Sequence, residues 1–250
     1  MQKPAKTVKK RFDVLVQEQY PALTLNQIQS FILQGKIFVD GERVTKAGSP
    51  IATTATIVLT EQEQKYVSRA GLKLEGALQH FGIDVTGLTA LDAGISTGGF
   101  TDCLLQNEVK RVYGIDVGHG QVHEKIRADK RAVLLEKTNL RLLTKLPELV
   151  DLATLDLSFI SLLSVMPAVS QLLKPSSNII ALIKPQFEAD RVDVGPGGLV
   201  QDAAVHDKVI KKIVDGMAEF GFNLIGVIDS PILGAASGNK EFLAFFQRKK

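Results

Sequence analysis

From residue 88 onward the chain alternates short, unbroken apolar runs with stretches of helical periodicity, and this alternation restricts its fold more than any other feature. The runs fall at 89–94 (TALDAG), 111–116 (RVYGID), 132–136 (AVLLE), 152–158 (LATLDLS), 179–184 (IIALIK), 224–229 (LIGVID) and 241–247 (EFLAFFQ). Most lack polar alternation, as strands covered on both faces do. Helical patterns lie between them, notably at 98–109, 161–173 and 206–222. Strand–helix alternation predicts an α/β fold with a doubly wound, mostly parallel sheet of seven strands. No helix-length pattern separates the last two runs, which predicts a closing antiparallel strand.

The first 60 residues follow a different grammar. Pro21 separates a helical segment around 11–19 from a second at 24–34, where Thr24 and Gln27 have capping-box spacing and Ile28, Phe31 and Ile32 share a face. Gly35 supplies a stop. KIFVDGERV then reads as a hairpin about Asp40-Gly41, with TIVL at 56–59 as a third strand. The polar stretch EQEQK marks a linker. The expected organisation is a small α+β domain over 1–60, a linker over 61–67 and the α/β domain over 68–250.

Charge divides along the same line. Residues 1–60 hold eight basic and four acidic side chains, so the net +3 of the chain resides in its first quarter. A small basic module ahead of a neutral body suggests a polyanion-binding device, although a solvated Lys-rich terminus would look the same. The single Cys103 excludes a disulfide framework and a Cys-based zinc site; it is expected as a small core residue. The opening MQKPAKTVKKR has no apolar stretch after it, and the longest uncharged run, 157–173, holds too many serines to span a bilayer. A cytoplasmic protein without membrane association is expected, and a plastid form lacking its transit peptide would show the same features.

The run 89–94 leads through ISTGGF into a helix, so Gly94, Gly98 and Gly99 occupy the first strand-to-helix turn. In an open sheet that turn admits a nucleotide-like ligand, because glycine lets it approach backbone N–H groups. Asp116 ends the next strand 22 residues after Gly94 and can accept hydrogen bonds from ribose hydroxyls. Both NAD and S-adenosylmethionine suit these features. The loop lacks G-x-G-x-x-G spacing, and Asp92, just ahead of the glycines, would repel a pyrophosphate and suit a cationic ligand. S-adenosylmethionine is therefore the favoured cofactor, with NAD or a loop kept for packing as alternatives. The expected binding residues are Asp92, Gly94, Ser96, Thr97, Gly98, Gly99, Phe100 and Asp116. His119 and His123 stand four apart without a third ligand, so no metal is expected.

Six ordered blocks, KYVSRAGLKLEGAL, LDAGISTGGFTDCLLQ, VYGIDVGHGQ, LDLSFISL, LIKPQFE and SPILGAASGNKEFL, resemble the TlyA (haemolysin-A) family of ribose 2′-O-methyltransferases. The front segment resembles the alpha-L RNA-binding module. The resemblance implies a Rossmann-like methyltransferase domain behind an RNA-binding domain, with ribosomal RNA or ribosomal subunits as partner and a cytidine ribose as target. It places a Lys-Asp-Lys-Glu catalytic set on Lys73, Asp156, Lys184 and Glu241, and puts Ser158, Phe159 and Phe187 beside it.

Two lysines among two carboxylates make chemical sense for this reaction. A ribose hydroxyl must lose its proton as it attacks the methyl carbon. A lysine serves as base near neutral pH only when desolvated or beside another cation. Lys184 is thus expected as base, Lys73 as the neighbouring cation, and Asp156 and Glu241 as groups that orient the amines. Taken singly, a Lys or Glu at a strand end is usually a solvated rim residue, and an Asp there is often a helix cap.

Some positions depart from the family pattern. Thr24-Leu25 stands where the module usually has Ser-Arg, Asp190 and Pro196 interrupt a glycine-and-lysine loop, and Gln201 replaces an Arg. The changes at Leu25, Pro196 and Gln201 remove basic groups that the family pattern would present to RNA. Two other classes remain: a non-catalytic RNA-binding or ribosome-assembly factor, and a membrane-active haemolysin.

Overall fold

The computed structural model describes residues 8–59, 65–234 and 238–249. The chain forms two compact units, Met1–Glu63 and Gln64–Lys250. Most of the expected linker (61–64), together with Lys3 and Lys6, lies outside the described residues.

In the first unit, β1 (Lys9–Arg11) leads into α1 (Phe12–Gln19) and α2 (Leu25–Leu33). Phe12, Leu15 and Val16 on α1 face Ile28 and Ile32 on α2, and Ile37, Val39 and Ile57 complete the core. Thr24 caps α2 as expected: the Gln27 N–H donates to Thr24 Oγ1, and Gln27 Oε1 accepts the Thr24 N–H at 2.8 Å. β2 (Ile37–Val39) and β3 (Glu42–Arg43) pair across Asp40 and Gly41. Both turn residues have positive φ, 50° and 84°, the twist a two-residue hairpin requires. After β4 (Pro50–Ala52), β5 (Ile57–Leu59) pairs antiparallel with β2. The pairing of β1 with β4 was not anticipated: Lys9–Arg11 is polar and wholly exposed, so it carries no hydrophobic pattern.

The second unit opens with α3 (Ala70–Phe81) and alternates β6 (Thr89–Ala93), α4 (Gly99–Gln106), β7 (Arg111–Ile115), α5 (Glu124–Ala128), β8 (Ala132–Leu135) and β9 (Val150–Leu155). It continues with α6 (Met166–Leu172), β10 (Leu173–Ile183), α7 (Pro185–Glu188), α8 (Ala203–Glu219), β11 (Phe222–Asp229) and β12 (Phe242–Arg248). The helix expected at 161–173 is shorter, because Pro167 sits in its first turn and a separate 3₁₀ turn, Leu162–Ser164, precedes it.

The seven strands form one sheet in the order β11-β12-β10-β9-β6-β7-β8. All neighbours are parallel except at β12, which is antiparallel to both β10 and β11. Side chains alternate between two apolar layers. Ile179, Ala181 and Ile183 of β10 meet Met166 and Val169 of α6 and Val209 and Ile213 of α8. Ile180 and Leu182 share the opposite layer with Leu74 of α3 and Cys103 of α4. Covering on both faces explains the unbroken apolar runs. The sequential order reverses between β6 and β9, and ligands of open α/β sheets bind outside the strand carboxyl ends at such a reversal. No described helix is long and apolar enough to cross a membrane.

Candidate active site

Three cavities line the carboxyl ends of the central strands, and Asp156, just past β9, borders all of them. The smallest lies under the glycine turn, against Ser68, Ala70, Ser96, Thr97 and Phe100. A second, of about 410 Å³, runs from Gly94 and Ser96 past Asp116 to Asn139 and Leu140. The third, of about 480 Å³, holds Lys73, Lys184 and Glu241 along with Asp156.

The glycine turn is shaped by close approach. A Cβ on Gly94 (φ 86°) would lie 2.4 Å from the Asp156 carbonyl oxygen, so only glycine lets β6 and β9 meet at this joint. Gly98 adopts φ 97° as the residue that starts α4, and a Cβ on Gly99 would strike Ser68 Oγ. Gly94, Ser96, Thr97, Gly99, Phe100 and Asp116 border the two loop-side cavities. Gly98 borders neither; it shapes the turn instead.

Asp92 departs from the expected direct contact. Its carboxyl is 1% exposed and accepts hydrogen bonds from the Thr101 hydroxyl at 2.6 Å and the Thr154 hydroxyl at 2.9 Å. It ties α4 to β6 and β9 from below. Negative charge is supplied to these cavities by other residues. The two loop-side cavities contain the carboxylates of Asp116 and Asp156 and, among the described residues, no Lys or Arg. Such a site fits a cationic ligand and disfavours a pyrophosphate. Asp116 accepts the Ser96 N–H on one oxygen (2.9 Å) and the Gly118 N–H on the other (2.8 Å). A carboxylate oxygen has two lone pairs, so each retains capacity toward ribose hydroxyls. The residues present therefore fit an adenosylmethionine-like group.

The four residues placed by resemblance come together as two ion pairs. Lys73 on α3 meets Glu241 at 2.5 Å, and these side chains are 8% and 3% exposed. Lys184, following β10, meets Asp156 at 2.6 Å and donates to Ser158 Oγ at 3.0 Å. β9 and β10 are adjacent and parallel, with Leu155 opposite Ala181, which brings their carboxyl ends together. Phe159 is 90% exposed at φ 65°, a left-handed conformation that costs a non-glycine residue about 1–2 kcal/mol. Its ring lies 5.0 Å from that of Phe187, and both border the tetrad cavity. Arg69 stands at the same cavity, its Nη2 donating to the Leu233 carbonyl at 2.8 Å.

His123 caps α5 by accepting the Lys125 N–H on Nδ1, and no helix spans His119 and His123. Among the described residues no group of three or more His, Cys, Asp or Glu side chains is placed to hold a metal. Cys103 is fully buried in α4. Asp190 pairs with Lys208 at 2.6 Å, and Gly197 and Gly198 border the tetrad cavity. Sequence reasoning missed Asn139 and Arg69. The strand-end rule, applied to β8, would have found the first; Arg69 lies within a quoted block but has no distinguishing spacing.

Residues 66–248 match the FtsJ-like methyltransferase model, and residues 10–57 match the S4 domain. The chain is 41% identical over 231 residues to the 16S/23S rRNA (cytidine-2'-O)-methyltransferase TlyA of Mycobacterium tuberculosis, covering 90% of this chain and 85% of that protein. It is 40% identical over 239 residues to Hemolysin A of Brachyspira hyodysenteriae, covering 94% and 99%. A solved hemolysin-named structure from Streptococcus thermophilus superposes with a TM-score of 0.76 at 38% identity, covering 98% of this chain and 90% of that one. With the reversal-point cavities and paired lysines already in place, these matches show that the chain belongs to the FtsJ-like methyltransferase family, in its TlyA and hemolysin A branch with an S4 domain.

Proposed function

We propose that the protein transfers a methyl group from S-adenosylmethionine to a ribose 2′-hydroxyl of ribosomal RNA in the cytoplasm, with cytidine as the nucleoside. The observation that carries this reading is the meeting of both halves of such a reaction at Asp156: on one side a cavity lined by Asp116 and, among the described residues, by no Lys or Arg, and on the other a lysine-lined cavity. The M. tuberculosis relative, whose name specifies a cytidine 2′-O target on 16S and 23S rRNA, supports the substrate.

Bound adenosylmethionine would supply an already activated methyl group on sulfur, so the chain's principal task is alignment. Gly94, Ser96 and Asp116 would hold the donor. Lys184 Nζ, after its ammonium has given a proton to solvent, takes the proton that the ribose hydroxyl releases as its oxygen attacks. The ammonium is thereby restored to its ion pair with Asp156 at 2.6 Å and its hydrogen bond to Ser158 at 3.0 Å. Lys73 is balanced by Glu241, so this buried pair acts chiefly to fix the cavity wall. Breaking it by removing one partner would leave an uncompensated buried charge, at a cost of about 3–5 kcal/mol. The Phe159 face suits a nucleobase turned out of its stack, and Arg69 offers a cation to the adjoining phosphate.

The test is methyl transfer from labelled adenosylmethionine to purified small and large subunits, with Lys184→Ala beside the wild type. The expected result is label on a ribose 2′-oxygen, with kcat about 10²–10⁴ lower in the variant. Donor affinity should not fall, because Lys184 borders neither loop-side cavity and Asp156, which borders both, keeps its carboxylate. Wild-type turnover in Lys184→Ala would overturn its role as base. Tight donor binding with no label on either subunit would favour a non-catalytic RNA-binding factor.

A further inference from the structure

Glu188 is a buried carboxyl for which the proposed chemistry has no use. It ends α7, four residues past Lys184, and is 3% exposed. Its Oε1 accepts the Leu162 N–H at 2.7 Å, while Oε2 is sealed from solvent without a hydrogen-bond partner. It borders none of the three cavities.

Its position gives it a task. The segment 156–162 carries Asp156, Ser158 and Phe159; the segment 184–188 carries Lys184 and Phe187. They touch at three levels: Lys184 on Asp156 and Ser158, the ring of Phe187 beside that of Phe159, and Glu188 on Leu162. The first two contacts lie at the cavity. The third is buried behind it, where water does not compete for the hydrogen bond. Leu162 opens the 3₁₀ turn that ends the first segment. On the other side, Lys212 of α8 donates from Nζ to the Glu188 carbonyl oxygen at 2.7 Å. Glu188 thus links the segment after β9 to the helix packed under the sheet. Phe159 adds an independent reason for such a link. Its left-handed backbone is unfavourable by itself and persists only where neighbouring contacts hold it.

We infer that Glu188 is a positioning residue: it clamps the 156–162 segment to the 184–188 segment, and so keeps Asp156 and Ser158 in register with Lys184, without touching substrate or donor. This inference rests on the proposed roles of Lys184 and Asp156. Burial holds the Glu188 carboxyl above the usual range, against the Leu162 N–H, the Ser161 side chain and the Lys212 charge, which draw it down. An ionised carboxylate with one bare, buried oxygen is costly. A neutral side chain of the same shape should therefore replace it.

The experiment compares wild type, Glu188→Ala and Glu188→Gln in the full chain. It measures methyl transfer, donor affinity, RNA KM, melting temperature and amide exchange at Leu162. Glu188→Ala should lower kcat about 10- to 100-fold, the scale of an ångström-level misplacement. KM and donor affinity should stay within about twofold, and Leu162 exchange should accelerate. Glu188→Gln should keep kcat within about threefold of wild type, because its amide carbonyl accepts the same N–H. Three results would overturn the inference: wild-type kcat in Glu188→Ala, equal damage in both variants, or loss of kcat only in step with lost folded protein. If the wild type itself transfers no methyl group, the proposed function fails. Leu162 exchange then decides the clamp alone, and unchanged protection in Glu188→Ala refutes it.

Discussion

Burial governs the protonation of Asp92. Desolvation pushes its carboxyl up to about 6 from the usual 3.8, more than the Thr101 and Thr154 hydroxyls offset, with the nearby Asp156 charge adding to the rise. A carboxyl whose folded-state pKa is raised binds more protons folded than unfolded between pH 4 and 6. Stability at this site is therefore highest below pH 4, falls as pH rises through that window, and levels off above 6. The shift corresponds to up to about 3 kcal/mol. Asp92→Asn, which carries no charge, should escape the loss. Urea unfolding at pH 4, 5, 6 and 7 should show the variant gaining on the wild type by about 2–3 kcal/mol across the series. A constant difference would mean that Asp92 does not titrate in that range. The same residue marks the limit of reasoning from one position. A carboxylate beside the glycines is expected to face the ligand, yet the carboxylates that border the loop-side cavities are those of Asp116 and Asp156. Which of three carboxylates faces the cavity depends on the Thr101 and Thr154 hydroxyls, which approach from other elements.

Elements were legible where burial imposes a period and obscure where it does not. All seven strands of the large sheet overlap the apolar runs; for the central strands this follows because a strand buried on both faces must be apolar, whereas β11 lies at the edge and is largely exposed. The polar β1 and the four-residue α7 leave no periodic trace. Pro167 broke a continuous helical pattern into a turn and a helix, since it lacks an N–H and favours a first helical turn. Capping was read correctly at α2, and it matters there because the first unit has a small core and correspondingly little reserve. Thr24→Ala removes the acceptor for the Gln27 N–H, which should cost about 1 kcal/mol. Amide exchange should accelerate about fivefold across α2 (Leu25–Leu33) and remain unchanged in α8, whose N-terminus is capped separately by Asp202. Equal acceleration in both helices would show that the two units unfold together.

At the scale of the molecule, the strand alternation predicted the sheet class and the antiparallel end, but not that β12 inserts between β10 and β11. That insertion places Phe242–Arg248 beside β10 and brings Glu241 to the cavity that holds Lys184. The tetrad was therefore reachable only through resemblance, since its members are 168 residues apart at the Lys73–Glu241 contact and no spacing rule joins them. The uneven charge has a separate consequence. All three cavities are lined wholly by residues of the second unit, whereas the chain's positive excess lies in the first. Removing residues 1–63 should accordingly leave donor affinity within about twofold while weakening RNA binding. Lys10 and Arg11 already face Glu18 and Asp13, so fewer than the eight basic groups would meet phosphates. The slope of log K against log salt should become shallower by about 2–3, measured by titrating ribosomal RNA at 50–200 mM salt. If slope and affinity both survive truncation, RNA is held by the methyltransferase unit alone. The basic residues of the first unit would then be a solvated surface, and target choice would have to reside in the Arg69 and Phe159 rim.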